Sequence, residues 1–514
     1  MKSRKRMLTM AIAVLAALAL PGQLAAQHTR YKLIDIPTLG GPTAYQSINA
    51  PGYQMLNNAG LVAGWADSST ADPFAPFCFG NDGLCLVTHA LRWQRGVLTD
   101  LGALPGVNSS AASAINARGW IAGDSENGDI DPVTGGPQGH AVLWRDDQIS
   151  DLGTLGGHES FSVDINSAGT VIGVSTFDAV PDPFSFLGAS LHPFLWEKGV
   201  MQDLGTLGGP DALALSVNER GQVAGISFTN ATANDTTGMP TQEPFLWEHG
   251  RMISLGTFGG TAGGPGAQGS IKINSRGQII GTSNLAGDEA THPFVWENGV
   301  LTDLGTLGGV NAFAVWINDA GEIVGEADLP GSALTHLHHA FLWKNGVMKD
   351  LGTLGSTSHA EAVNSRGQVV GRSRLGDPST VLQHAFLSED GGAMIDLNTL
   401  IPANSTLQLI DAVNINERGE ILGIGLPPGV QAVEGDVGGH LFLLIPCNAQ
   451  DVSACQNSDA STTAAAQSHP APLAATNPTT SPQHHSTASE GIAAWRARLA
   501  QRYHIPGLTA SPSD

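Results

Sequence analysis

Val363-Asn364-Ser365-Arg366-Gly367-Gln368-Val369-Val370-Gly371 is the stretch on which the reading of the fold turns. An apolar strand ends in Asn, Gly stands three residues on, and a β-branched pair runs to a second Gly. Asn opens a type I turn well, and Gly then accepts the left-handed conformation that a hairpin bulge needs. The same pattern recurs at Asn57, Asn116, Asn166, Asn218, Asn274, Asn318, Asn364 and Asn416, each with Gly three residues later. A unit that returns about every fifty residues indicates a propeller or a solenoid.

Working outward, each unit carries four strand signals. The first ends at the turn Asn, and the second ends at the second Gly, as at Gly64 and Gly423. The third begins His-Ala/Pro-Phe-Leu-Trp, at His89, His140, His192, Glu243, His292, His339, His384 and His440. A tight turn such as Asn298-Gly299 follows, and the fourth strand closes on Asp-Leu-Gly-Thr-Leu-Gly-Gly, clearest at 151–157 and 303–309. Four antiparallel strands in eight copies predict an all-β, eight-bladed β-propeller. The last unit lacks its fourth strand after Pro446, whereas Asp35-Ile36-Pro37-Thr38-Leu39-Gly40-Gly41 precedes the first unit. The N-terminal strand is therefore expected to complete the last blade and remove an open sheet edge.

These phrases resemble the His-Ala-Phe repeat family of extracellular bacterial proteins, over roughly residues 31–446. The resemblance implies an exported repeat protein and brings no catalytic residues with it. Glu243 for His, Ser388 and Leu444 for Trp, and Asn398 for Gly depart from the repeat.

The remainder of the chain fits export. Lys2, Arg4, Lys5 and Arg6 precede an apolar run at Leu8–Leu20 too short to span a bilayer, so residues 1–26 read as a signal peptide. Loss of those four basic residues would take the formal charge from -22 to -26, which argues against nucleic acid or anionic lipid as the main partner. No other apolar run is long enough for a membrane span. Four cysteines have three pairings, of which Cys78–Cys85 and Cys447–Cys455 are the simplest for a secreted protein. Residues 447–490 read as a pinned exit followed by a Ser/Thr/Ala/Pro linker, and 491–505 as a short amphipathic helix with Arg496, Arg498 and Arg502 on its polar side.

Functional signals are sparse. The repeated His copies lie round a ring and cannot converge on one ion; a hydrogen bond to backbone, locking neighbouring blades, is the expected use. The repeated Trp residues are expected to pack between blades, leaving Trp65 and Trp316 as aromatic candidates; His336 and His338 have ligand spacing if extended. No nucleophile elbow or His-Glu-x-x-His appears. Strand alternation sends the connections between second and third strands to one face, where the insertions concentrate. Those connections hold Asp67, Asp82, Asp124, Glu126, Asp129, Asp131, Asp178, Asp182, Asp235, Asp288 and Asp328, an expected acidic binding face. Arg118, Arg220, Arg276, Arg366 and Arg418 lie in the turns of the opposite face. Asp124, Glu126, Asp129 and Asp131 form a candidate Ca²⁺ set, without EF-hand spacing. The expected function is a non-catalytic exported scaffold for a cationic or neutral extracellular or envelope ligand, with the C-terminal helix as one internal partner. The alternative is an extracellular lyase or hydrolase of carbohydrate or peptide, whose mark would be acids and His converging near the central channel.

Overall fold

The computed structural model describes residues 29–45, 53–75, 85–106, 108–132, 136–146, 148–181, 189–235, 238–264, 270–331, 337–376, 382–430 and 439–447. Within these the chain is all-β, arranged in antiparallel sheets of four sequential strands. The quoted stretch lies in the sheet Ser358–Val363, Gln368–Arg374, Gln383–Glu389, Ile395–Asp396. Asn364 Oδ1 accepts the N–H groups of Arg366 and Gln368 at 3.0 and 3.1 Å, and Gly367 sits at φ 69°. The side chain thus satisfies the donors that the turn leaves open, and Gly takes the left-handed position.

The second Gly has a different reason from the one expected. It does not end its strand; Val171–Pro181 runs well past Gly173. A β-bulge in the first strand, as between Ala360 and Ala362, drives that strand's backbone against this Gly. A Cβ on Gly371 would stand 2.0 Å from the His359 carbonyl oxygen, and Gly123, Gly173, Gly225, Gly325 and Gly423 meet the same atom of their own repeats at 1.9–2.1 Å.

Tyr31–Ile36 pairs antiparallel with His440–Pro446, from Tyr31↔Pro446 to Ile36↔Leu441, as the fourth strand of the last sheet. The N-terminal segment is shorter there than read from the sequence, because Gly40–Tyr45 already pairs with Val62–Ala71 in the first sheet. In the fifth repeat two strands, Gly259–Gly264 and Lys272–Ile273, pair with Ile279–Leu285. One parallel pair, Gln242↔Ala262, joins the fourth and fifth repeats into a nine-stranded sheet.

Adjacent sheets pack face to face through shared apolar clusters. Ala122 and Leu143 of the second repeat meet Val171 and Phe194 of the third, and Ile280 and Val295 of the fifth meet Ile323 and Phe341 of the sixth. Phe194, Phe245, Phe294, Phe341, Phe386 and Phe442, all from the third strand, are fully buried. Each such ring contributes about 1.5–3 kcal/mol by leaving water. Trp93, Trp144 and Trp247 are buried, and Trp196, Trp296 and Trp343 pack against the clusters, as expected for inter-sheet filling.

The turn asparagines also connect the sheets to one another. Asn57 Nδ2 donates to the carbonyl of Asn116, Asn116 to Asn166, Asn166 to Asn218, and Asn218 to Asn274. Asn274 donates to Asn318, Asn318 to Asn364, Asn364 to Asn416, and Asn416 back to Asn57. All eight bonds measure 3.0–3.1 Å.

Candidate functional site

The repeated His has a partner other than backbone. Its Nδ1 meets the Asp that opens the Asp-Leu-Gly phrase of the adjoining fourth strand, within its own sheet. The pairs are His89–Asp100, His140–Asp151, His192–Asp203, His292–Asp303, His339–Asp350, His384–Asp396 and His440–Asp35, at 2.7–3.0 Å. In the fourth repeat Ser254 donates to Glu243 instead. The Asp bonds raise His89 and His440 above the ordinary imidazole value against the opposing effect of burial. Burial pushes Asp100 upward, but His89 and the Gly102 N–H hold its carboxyl below the usual range. These pairs brace strands. Only the last bridges the two ends of the described chain.

The predicted acidic face is largely taken up by the fold. The second and third strands continue as hairpins beyond the sheets, so Asp67, Asp124, Glu126, Asp129 and Asp178 lie in strands and not in loops. Glu126 is buried and accepts the Ser109 N–H at 2.7 Å; Asp328 accepts the Asn311 N–H at 3.1 Å. Asp67 is buried beside Thr43, which donates to it. Asp124 accepts the Ser162 N–H at 2.7 Å from the next repeat, and Asp288 accepts the Thr261 N–H at 2.7 Å. Asp131 is buried, Asp178 is half-buried, and Asp129 and Asp235 are exposed. Asp82 and Asp182 lie outside the described residues. Asp124, Glu126, Asp129 and Asp131 are not brought to one point: among the described residues no three His, Cys, Asp or Glu side chains are grouped to hold a metal ion. The turn face is not simply basic either. Glu219, Asp319 and Glu417 accept from Ser167, Ser275 and Ser365, beside the turn arginines.

Ionisable groups converge elsewhere, across the sixth, seventh and eighth repeats. His338 Nε2 approaches Glu326 Oε2 at 3.3 Å, and His359 Nδ1 meets the same oxygen at 2.8 Å. His359 Nε2 lies 3.3 Å from Glu361 Oε1, an ionic contact without hydrogen-bond geometry. Arg372 NH1 bonds Glu361 and also reaches Asp411 Oδ2 at 3.1 Å. Glu326, His359, Glu361 and Asp411 are buried, whereas the side chains of His338 and Arg372 are 31% and 26% exposed. The chain of contacts thus starts at partly open His338 and ends at buried Asp411, with the partly open Arg372 beside it.

Burial pushes the His359 imidazolium down, but Glu361 and Glu326 outweigh it and hold the group at about 9. Burial likewise pushes Glu326 up, and His338 and His359 bring it down to about 2. Asp411 goes the other way, to about 6, because burial and the neighbouring Glu361 outweigh Arg372. Arg372 is raised by the same carboxylates.

Of these six residues the motif search pointed only to His338, yet the repeat itself marks four of the others. Glu326 and Arg372 stand eight residues after the turn Asn, where Trp65, Val174, Ile226, Thr282 and Ile424 stand in other copies. His359 and Asp411 stand five before it, where Phe161, Leu213 and Phe313 stand. Asp124 shares the first of these positions. Of the remaining candidates, Trp316 lies under Lys272, whose Nζ is 5.4 Å from the ring centroid, and Trp65 is part of the first sheet. His336, Cys78 and Cys455 lie outside the described residues, among which no cysteine is free.

The chain matches no family model and no curated protein. Among solved structures it is similar to the β-propeller domain of the Trilobed protease from Pyrococcus furiosus, at 11% identity and TM-score 0.40, over 69% of this chain and 98% of that one. It is similar to dipeptidyl peptidase 4 of Porphyromonas gingivalis at 10% identity and TM-score 0.42, over 75% of this chain and 59% of that one. A third is an ulvan lyase of a polysaccharide lyase family, at 10% identity and TM-score 0.35, over 72% and 97% of the two chains.

Proposed function

We propose that the chain is an exported eight-bladed β-propeller, closed on itself, that serves as a non-catalytic binding scaffold. Its ligand, cationic or neutral, would dock on the face where second and third strands connect. The eight Asn bonds that return to Asn57 support the blade number and the closure, and the pairing of Tyr31–Ile36 with His440–Pro446 supports an N-terminal closing strand. The observation that carries the scaffold reading is the mutual pairing of the converged charges: Glu326, His359, Glu361 and Arg372 each have a partner in another strand. Such a set ties three sheets together and stabilises a frame. The His-Ala-Phe resemblance, the signal peptide, the pairs Cys78–Cys85 and Cys447–Cys455, and docking of residues 491–505 belong to the same proposal.

One observation favours an enzyme as the second reading. Asp411 Oδ1 is buried without a hydrogen-bond partner, beside Arg372. Acids and His converging near the inner strands are what a hydrolase or lyase would need. A screen of glycans and peptides with the full chain separates the two. The scaffold reading expects saturable binding with no turnover. Turnover that is lost in Asp411→Asn while melting stays cooperative would overturn it. Peptide mapping without reduction tests the cysteine pairs.

A further inference from the structure

The turn side of the second repeat departs from its counterparts. Four residues after the turn Asn, five other copies carry Gln222, Gln278, Glu322, Gln368 and Glu420, while the first and third carry Leu61 and Thr170. These side chains engage the cations and amides around them. Arg276 donates to Gln278 at 2.7 Å, Arg418 to Glu420 at 2.5 Å, and Lys344 pairs with Glu322 at 2.5 Å. Gln222 and Gln368 donate to Glu248 and Glu389, at the end of the third strand, at 2.6 and 3.0 Å. The second repeat has Trp120 at the first position and Arg145 at the second. An indole ring accepts no in-plane hydrogen bond, so the guanidinium groups meet only its π face. Arg118 Cζ lies 5.2 Å and Arg145 Cζ 5.3 Å from the Trp120 ring centroid.

Both arginines are exposed, and their side chains make no hydrogen bond or ion pair among the described residues. The same holds for Arg95, exposed at the hairpin tip of the adjoining first sheet. Leu98 and Ile149, each just past its own hairpin tip, pack against one cluster that also holds Trp93 and Trp144, which fixes the two hairpins side by side. Trp120 itself is held, since its ring covers Gly169 of the third repeat. Asp146, which follows Arg145 in the chain, is also exposed. A chain of formal charge -22 therefore presents a small sector of guanidinium groups whose donors are uncommitted.

We propose that this sector binds the carboxylate or sulfate groups of a short acidic oligosaccharide. Planar guanidinium forks suit oxyanions, and a ring-held pair is pre-organised for two of them. Sparse charge, one or two per sugar, fits a sector of this size. A densely charged polymer such as nucleic acid would extend from it onto the acidic remainder of the surface and be repelled. The site lies on the opposite face from the loops and does not depend on the scaffold reading.

The test uses the full chain and calorimetry with sulfated and uronate oligosaccharides, oligoglutamate of equal charge, and a single-stranded oligonucleotide. Saturable saccharide binding is expected, weakened roughly tenfold or more in Arg118→Gln/Arg145→Gln, as loss of charge-assisted hydrogen bonds predicts. Affinity should fall as salt rises. Arg276→Gln, in the same turn position but already bonded, serves as the control and should bind as the parent does. Thermal melting reports that each variant is folded. No saccharide binding at low salt, binding unchanged in the double variant, or an equal loss in Arg276→Gln would overturn the site. Tighter binding of oligoglutamate or the oligonucleotide would overturn the saccharide assignment.

Discussion

Replacing His359 by Gln removes a buried cation that touches both Glu326 and Glu361, and the consequence should depend on pH in a specific direction. The group is raised from 6.5 to about 9 in the fold. At about 1.4 kcal/mol per unit, its protonated form contributes on the order of 3 kcal/mol. Because the folded value lies above the unfolded one, that contribution is fully present below pH 6.5 and is lost as pH rises through about 9. Urea unfolding followed by tryptophan fluorescence, at about pH 6 and about pH 10, measures it. The parent should lose on the order of 3 kcal/mol across this interval. His359→Gln should be less stable at the lower pH by about 3–5 kcal/mol, since two carboxylates lose a buried counter-charge. It should also lose less on going to the higher pH. Adding Glu326→Gln should recover part of the loss by removing one of the stranded charges. Parallel pH profiles for parent and His359→Gln would refute the ion-pair account of this cluster.

Asp411→Asn should raise stability above pH 6, where the ionised carboxyl is penalised by burial, and the gain should shrink as pH falls below about 6 and be gone below the ordinary value of 3.8; thermal melts across the range read it. Gly371→Ala should cost about 3 kcal/mol, because its Cβ meets a backbone carbonyl, whereas Gly346→Ala, left-handed but in open space, should cost about 1 kcal/mol by denaturant titration. Asn416→Ala loses bonds to Asn57 and Glu420 and two accepted N–H groups, and about 1 kcal/mol each predicts roughly 3–4 kcal/mol. Hydrogen exchange should then quicken first in Tyr31–Ile36. Asp35→Asn should remove the stabilisation that His440 loses as pH rises through its raised value, so parent and variant should converge at alkaline pH.

The strand order, the turn chemistry and the role of the N-terminal strand were legible because each repeats, and repetition averages out local ambiguity. Copies that break the period were not. In the first repeat Ile48-Asn49-Ala50-Pro51-Gly52 also resembles the turn motif, which leaves the inner strand ambiguous in the sequence, and Gly40–Tyr45 pairs with the first sheet. The second Gly looked like a strand end because composition cannot distinguish a turn from a close backbone approach. The acids of the second–third connections were read as solvated, but several accept backbone N–H groups at the start of the first strand, as Glu126 does from Ser109. That use depends on a register visible only once the strands are paired. The cluster around His359 and Glu326 escaped because its members stand far apart in the chain and belong to no motif. Aligning the eight copies and asking which positions alternate between Phe, Leu and Ile in some and Asp, Glu, His or Arg in others would have found them.

The eight asparagine bonds have one further consequence. Every amide gives in the same rotational sense and every carbonyl receives, so the set has no first or last member. A duplicated unit slipped into such a set must bring both a donor and an acceptor at the right spacing, and a deleted unit leaves one of each facing a gap. Gain or loss of a single unit is therefore expected to cost hydrogen bonding at this atom pair, independently of how well the new interface packs. The same property makes the position of the chain ends arbitrary: a gene reopened at another inter-repeat junction, with its old ends joined, retains every member of the set.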